Sequence, residues 1–347
     1  MRNWKYKMVC LLTATSLSLG LNAGSAANVK ILNASYDVTR EFYQDFNLAF
    51  AAYWKAKTSN TVTVVQSHGG SSMQAESVAN GLDADVVTLN QAPDIDLLRT
   101  SARLMPANWA ARLPNHSVPY NSTIVFVVRR GNPKHIQNWD DLVRSNVSVV
   151  IPNPKTSGTG RYSYLAAWGQ ALRKPGGDEH SARQFVAKLF ANDPVLDSGG
   201  RGATITFAER GIGDVLLTFE NEAAQARHSF AADALEVVVP SESILAENPV
   251  AWLDRNVIRH HTADVARAYL EFLYTPAAQE LAAKYYFRPR NKTVLEKYSD
   301  RFQPLTLFTV QEAIGGWQKA VPEHFSDGGI FDQIYQKKYN VAQISKL

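Results

Sequence analysis

Residues 195–223 read VLDSGGRGATITFAERGIGDVLLTFENEA and place a glycine-rich loop between a predicted strand and a predicted helix. We predict a short strand ending at Leu196, a helix over residues 201–210, and a second strand, Val215–Phe219, leading into another helix. The first N–H groups of a helix have no acceptor within that helix, and glycines let an anion approach them closely. The stretch therefore predicts part of an anion-binding site.

Two other stretches show the same order of strand, small residues and helix. They are VVQSHGGSSMQ at residues 64–74 and VVIPNPKTSGTG at residues 149–160. In the first, Ser71 and Gln74 have the spacing of a capping box. Alternating strands and helices predict an α/β fold with largely parallel sheets, which bind ligands at the carboxyl ends of their strands. We therefore expect the three stretches to serve one ligand.

Residues 1–27 have the features of a secretory signal peptide: basic residues first, then a short apolar core, then small residues. The apolar run is too short and too often interrupted for a membrane span. It contains Cys10, the one cysteine of the chain, so the predicted mature chain has no disulfide and no thiolate metal site. Its 33 basic and 32 acidic residues give a net charge of +1. This charge argues against nucleic acid or a membrane surface as a partner.

The predicted mature chain, roughly 320 residues, is long enough for two domains. We predict a first lobe over residues 28–119, a second lobe over residues 120–252, and a return to the first lobe with C-terminal helices over residues 253–347. Tyr120–Arg129 is predicted to be the strand that crosses into the second lobe, and residues 250–258 the return crossing. Aromatic residues at every fourth position from Phe42 to Trp54 predict the buried face of a helix.

Four segments resemble the periplasmic sulfate/thiosulfate-binding proteins of ABC importers. They are QSHGGSSMQA (residues 66–75), NPKTSGTGRYSYLAAW (153–168), residues 197–222, and PSESILAE (240–247). The resemblance covers nearly all of the predicted mature chain. It implies the type II periplasmic binding protein fold, in which each of two lobes is a largely parallel sheet flanked by helices and two segments join the lobes. It also implies a monomer in the periplasm that is not an enzyme, needs no cofactor or metal, and passes sulfate or thiosulfate to a membrane permease.

A sulfate ion is fully ionised at neutral pH, so its site should consist of hydrogen-bond donors without a carboxylate acceptor. In the resemblance, the two serines of the site supply hydroxyl and backbone donors, and its glycines and threonine supply backbone N–H groups. Helix capping and ordinary turn glycines are the alternative roles for these residues. Asp37 and Arg201 are expected to support the site, Asp37 as a helix cap. The resemblance places the ligand contacts at Ser71, Ser157, Gly158, Thr159, Gly200 and Phe219.

The chain differs from the sulfate-binding branch of that family at two of these positions. Thr159 stands where that branch carries glycine, and Phe219 stands where it carries tryptophan. Phenylalanine has no donor, and an unpaired oxygen in a buried site costs roughly 1–3 kcal/mol. The terminal sulfur of thiosulfate, a weak acceptor, suits such a position better. Together with the pair Asn90 and Gln91, this resembles the thiosulfate-binding branch. We predict thiosulfate binding with sulfate as a second ligand; another tetrahedral oxyanion, phosphate or molybdate, is the alternative.

An enzyme is a further alternative. Residues 197–200, DSGG, resemble the nucleophile segment of chymotrypsin-like proteases, with Ser198 as the nucleophile. Leu196 replaces the glycine expected before this segment, and the surrounding pattern is α/β. A nucleophilic serine also needs a histidine within hydrogen-bond reach, and the sequence identifies none. We therefore expect a binding protein with no catalytic residues.

Overall fold

The computed structural model describes residues 28–229 and 234–336, and the predicted signal peptide lies outside these residues. The strands are β1 Asn28–Tyr36, β2 Thr61–Gly69, β3 Val86–Thr88, β4 Tyr120–Arg129, β5 Val149–Val150, β6 Val215–Phe219, β7 Leu235–Val238, β8 Glu242–Asn248, β9 Val250–Trp252, β10 Arg288–Pro289 and β11 Thr306–Phe308. The helices are α1 Arg40–Thr58, α2 Ser71–Ala79, α3 Ala92–Thr100, α4 Pro114–Ser117, α5 Gly158–Arg173, α6 Glu179–Ala191, α7 Gly200–Ala208, α8 Glu220–Ser229, α9 Asp254–His260, α10 Ala263–Phe272, α11 Pro276–Lys284, α12 Lys292–Lys297, α13 Val310–Ile314 and α14 Trp317–Ala320.

The first sheet has the strand order β2-β1-β3-β9. Strand β1 pairs in parallel with β2 and with β3, whereas β9 is antiparallel to β3. The register aligns Tyr36 of β1 with Gly69 of β2, so both strands end at the same edge. Helices α2 and α3 begin shortly after β2 and β3 at this edge.

The second sheet has the order β11-β8-β4-β6-β5, with β7 and β10 also pairing with β4. Strand β4 is antiparallel to β6, β7, β8 and β10, while β5 is parallel to β6 and β11 is parallel to β8. All strands of this sheet other than β4 therefore run in one direction, as expected for a largely parallel sheet. The sheet is mixed because its central strand, β4, runs the opposite way.

The chain passes between the two sheets at three places. It enters the second sheet at β4 and returns between β8 and β9, where Pro249 separates the two strands. The return thus occurs before the predicted crossing, since β9 already pairs with β3. A third passage, not predicted, precedes α12: β10 pairs with the start of β4, β11 then pairs with β8, and α13 packs against α5.

The aromatic stripe of α1 is buried, as predicted. Phe42, Phe46 and Phe50 are at most 1% exposed, and Trp54 is also buried. Phe46 and Phe50 each contact the rings of Tyr269 and Phe272 in α10, with centroid distances of 5.1–5.8 Å. Burial of large aromatic rings contributes most of the packing energy in such a core.

Two local predictions are wrong. Val195 and Leu196 form no strand, because this segment is an irregular loop whose backbone is held by a bond from Asn153 N–H to the Asp197 carbonyl (2.8 Å). Ser71 and Gln74 form no capping box, because Gly70 occupies the N-cap position and Ser71 is the first residue of α2. No described helix has both the length and the apolar character required to cross a membrane.

Candidate functional site

Three loops meet between the two sheets: the first loop (residues 69–71), the second loop (residues 151–158) and the third loop (residues 195–200). The tightest approach is at Gly70. A Cβ atom at this position would lie 2.5 Å from the Thr156 carbonyl oxygen and 2.8 Å from the Ser198 carbonyl oxygen. Thr156 Oγ1 in turn donates to the Ser198 carbonyl over 2.9 Å. Only glycine fits at residue 70, and it lets the first loop contact both of the others.

A second contact joins Ser71 to Gly158 through Asn90. The N–H of Asn90 donates to Ser71 Oγ over 3.2 Å. The Asn90 side chain lies so close to Gly158 that a Cβ there would be 1.7 Å from Asn90 Oδ1. Asn90 follows β3 in the first sheet, whereas Gly158 begins α5 beside the second. The contact therefore also spans the two lobes.

The third contact joins the N-termini of α5 and α7. A Cβ at Gly200, the first residue of α7, would lie 2.9 Å from Thr159 Oγ1 and 2.9 Å from Val38 Cγ1. Phe219, at the end of β6, lies edge-on to Tyr36 and Tyr162, with ring centroids 6.3 and 5.8 Å apart. The structure thus brings together five of the ligand residues predicted from the sequence, and it places the sixth, Phe219, against Tyr36 and Tyr162. All six are buried: Ser71, Ser157, Gly158, Thr159, Gly200 and Phe219.

The two predicted serines differ in what their hydroxyl groups can do. Ser157 is the N-cap of α5, and its Oγ accepts from the Gly160 N–H over 3.3 Å, so the hydroxyl proton is available to another acceptor. Ser71 Oγ instead donates to Asp94 Oδ2 over 2.6 Å. Ser71 can therefore offer an anion only its backbone N–H in this arrangement, and not the hydroxyl donor expected from the sequence.

Sequence reasoning missed the carboxylate that organises the first loop. Asp94, in the first turn of α3, accepts hydrogen bonds from Ser71, Ser72 and Gln91, and Arg161 of α5 lies 3.5 Å from it. A carboxylate surrounded in this way has its acceptor capacity filled by the protein. The acidic residue in the first turn of a helix, next to the Asn90–Gln91 pair, was the available signal.

Asp37 and Arg201 support the third loop from behind. Asp37 Oδ2 accepts from the Arg201 N–H over 3.0 Å, and a Cβ at Gly199 would lie 2.3 Å from the same oxygen. The Arg201 guanidinium forms paired bonds to Glu41 (2.7 and 2.7 Å) and to Glu222 (2.8 and 3.0 Å). The positive charge of Arg201 is therefore paired with these two carboxylates.

The pKa values of these carboxylates reflect a balance of burial and charge. Burial raises the pKa of Glu222 to about 7, against the opposing effect of Arg201. Burial would also raise the pKa of Glu41, but the hydrogen bonds from Arg201 and the charge of Arg201 together outweigh burial, and the pKa of Glu41 is lowered. Burial raises the pKa of Asp37 despite the bond from the Arg201 N–H. The two lobes thus meet around backbone and hydroxyl donors, and the charged side chains nearby are hydrogen-bonded to other protein groups.

Several polar atoms around the three loops are buried without a hydrogen-bond partner among the described residues. They are Tyr36 Oη, Asn90 Oδ1, Gln91 Oε1 and Thr159 Oγ1. Rotation of an amide by 180° exchanges its oxygen and nitrogen, so Asn90 can present either a donor or an acceptor. The orientation of Gln91 is fixed because its Nε2 donates to Asp94 and Ser72. Buried polar groups in proteins are normally satisfied, and a polar ligand or ordered water would satisfy these.

The alternative of a catalytic serine has no geometric support. Ser198 is exposed, and its carbonyl accepts from Thr156. Among the described residues, no histidine is hydrogen-bonded to its hydroxyl group. The same part of the chain contains no group of three or more His, Cys, Asp or Glu side chains placed to hold a metal ion.

A two-lobed α/β fold with helix N-termini from both lobes around one buried site is the architecture of solute-binding proteins. Residues 38–288 match the family described as bacterial extracellular solute-binding protein. The chain belongs to this family. The similar curated relatives described below are binding proteins, and this chain is likewise not an enzyme.

Individual relatives agree with this assignment. The chain is 51% identical to the sulfate-binding protein of Salmonella typhimurium, covering 97% of this chain and 100% of that protein. It is also 51% identical to the thiosulfate-binding protein of Pseudomonas aeruginosa, covering 94% and 98%. The solved structure of the sulfate-binding protein SubI from Mycobacterium tuberculosis is 31% identical, with a TM-score of 0.77, covering 85% and 98%. Overall identity therefore does not separate the two ligands.

Proposed function

We propose that this protein captures thiosulfate, and sulfate as a second ligand, between its two lobes for uptake by an ABC importer. The observation that carries the proposal is the meeting of the N-termini of α2, α5 and α7 at buried glycine contacts. The first N–H groups of each helix have no acceptor within the helix, and the helix dipole adds about 0.3–1 kcal/mol for an anion there. Ser157 adds a hydroxyl donor at the same place.

The donor set favours a fully ionised anion over a protonated one. Phosphate near neutral pH carries a proton that requires an acceptor, and a buried carboxylate would be the strongest one. The carboxylate oxygens of Asp37 and Asp94 already accept from Arg201, Ser71, Ser72 and Gln91. Sulfate and thiosulfate have no proton to donate, so they need no free carboxylate.

The preference for thiosulfate rests on Phe219. Its side chain is fully buried at the end of β6 and presents only hydrocarbon. A sulfate oxygen facing such a ring would lose a hydrogen bond that water had provided, at a cost of roughly 1–3 kcal/mol. The terminal sulfur of thiosulfate is a softer and weaker acceptor, so its contact with the ring is less unfavourable.

Capture requires the lobes to move apart. Ser71 and Ser157 are each 1% exposed, and the Gly70 contact with Thr156 and Ser198 closes the space above them. An ion can enter only when the lobe beginning at residue 28 and the lobe beginning at residue 120 separate at the crossing strands, a hinge motion. We place the protein in the periplasm as a monomer that delivers its ion to a membrane permease driven by a separate ATPase.

Calorimetric titration of the ligand-free mature protein tests the proposal. We expect thiosulfate to bind most tightly and sulfate next, and phosphate, which carries a proton, to bind much more weakly; molybdate is titrated as the fully ionised alternative. If sulfate bound far more tightly than thiosulfate, the preference for thiosulfate would be rejected, but the proposal of a sulfate/thiosulfate-binding protein would stand. Tightest binding of phosphate or molybdate would reject the function itself.

A further inference from the structure

The side chain of Thr159 has no assigned role in the site, since only its backbone N–H was expected to serve an anion. Thr159 is the second residue of α5 and is 1% exposed. Its Oγ1 has no hydrogen-bond partner among the described residues. Threonine hydroxyls in helices commonly donate to a carbonyl of the preceding turn. Thr159 makes no such bond, so its hydroxyl proton has no acceptor among the described residues.

This hydroxyl lies where the N-termini of α5 and α7 approach each other. Oγ1 lies 2.9 Å from the position that a Cβ on Gly200 would occupy, which places it beside the first residue of α7. On the same side of Gly200, the nearest other group is the apolar Cγ1 of Val38, also at 2.9 Å from that position. The hydroxyl therefore lies among backbone donors and hydrocarbon, where no protein acceptor competes for its proton.

We infer that the Thr159 hydroxyl is a direct hydrogen-bond donor to the bound dianion. The inference rests on the proposed function and extends it by adding a side-chain donor to the backbone donors of α5 and α7. The Thr159 hydroxyl is buried without a protein partner in the closed form, and a hydrogen bond to the ion satisfies it.

The test compares Thr159→Val, which keeps the shape and removes the hydroxyl, with Thr159→Ser, which keeps it. Both are titrated with thiosulfate and with sulfate by calorimetry. A hydrogen bond to a charged group predicts that Thr159→Val weakens binding about tenfold to hundredfold, while Thr159→Ser stays within about threefold of the wild type. Thr159→Ala makes the same comparison if the valine variant does not fold.

Thr123→Val is the matched control. Thr123 is as buried as Thr159, but its hydroxyl donates to the Ile244 carbonyl over 2.7 Å, in the pairing of β4 with β8 and outside the three loops. We expect it to leave anion affinity within about threefold. Wild-type affinity in Thr159→Val would overturn the inference alone. A wild-type protein that binds neither anion would overturn the proposed function and the inference together.

Discussion

The backbone N–H of Arg201 donates to Asp37 Oδ2 over 3.0 Å, which joins the N-terminus of α7 to the residue that follows β1. The bond links the two lobes behind the third loop. A carboxylate near a helix N-terminus also interacts favourably with the helix dipole. Asp37 therefore fixes the position of α7 without contributing its charge to the ligand space.

Replacing Asp37 tests this supporting role. Asp37→Ala removes the acceptor, and α7 must then be positioned when the ion binds; we expect thiosulfate affinity to fall about tenfold. Asp37→Asn keeps an acceptor oxygen and should stay within about threefold. Calorimetry on both variants distinguishes the roles. Equal losses in the two would mean that the charge, rather than the hydrogen bond, matters.

Phe219→Trp tests the basis of the ligand preference. The substitution adds an indole N–H donor, so the ratio of sulfate to thiosulfate affinity should rise by about tenfold. Because Phe219 packs against Tyr36 and Tyr162, the larger ring should also lower the free energy of unfolding by about 1–3 kcal/mol. Phe219→Leu is the control, since it changes the packing without adding a donor. An unchanged affinity ratio in Phe219→Trp contradicts the explanation.

The two serines should respond differently to alanine. Ser157→Ala removes a cap and a free hydroxyl donor, so ion affinity should fall about tenfold or more. Ser71→Ala leaves the Asn90 N–H without its acceptor and Asp94 with one donor fewer, so it should chiefly reduce unfolding free energy, by about 1–3 kcal/mol. Titration and urea unfolding of both variants check this. A larger loss of affinity in Ser71→Ala would show that its hydroxyl turns to the ion.

His324 predicts a pH dependence of stability. Burial, together with the charge of Lys319, lowers its pKa to about 4, and its Nδ1 is 2.7 Å from the Tyr164 hydroxyl. Because the ordinary value is 6.5, the unfolded chain binds the proton first, and the stabilising contribution is lost as pH falls from 6.5 towards 4. His324→Gln should lower stability more at pH 7.5 than at pH 5, measured by urea unfolding.

The control for that experiment is His180→Gln. His180 is exposed on α6, where its ring is hydrogen-bonded to Gln184 one turn away. Its replacement should change stability little at either pH. A difference between wild type and His324→Gln that is the same at pH 5 and pH 7.5 would contradict the assignment.

Much of this fold follows from local sequence signals. The spacing from Phe42 to Trp54 predicts the buried face of α1, and the structure confirms it. The strand prediction at Val195 and Leu196 is wrong because a bond from the distant Asn153 N–H to the Asp197 carbonyl fixes this segment as a loop. Ser71 is not the cap of α2 because Gly70 takes the N-cap position, and the Ser71 hydroxyl is bonded instead to the distant Asn90 and Asp94.

The candidate site is predictable as a set of loops but not as a set of contacts. Glycine-rich turns after strands indicate anion-binding backbone, and that pattern locates Gly70, Gly158 and Gly200. The approach of Gly70 to Thr156 depends on how two sheets are placed, which no local pattern encodes. The same is true of Asn90 against Gly158, and of the Thr159 hydroxyl beside Gly200.

The most direct measurement is a crystal structure of the mature protein with thiosulfate, with the sulfur atoms located by anomalous scattering. We predict one ion between the lobes, hydrogen-bonded to the N–H groups of Gly158, Thr159 and Gly200, with its terminal sulfur against the Phe219 ring. An ion bound outside the three loops, or held by a lysine or arginine side chain, would contradict the account.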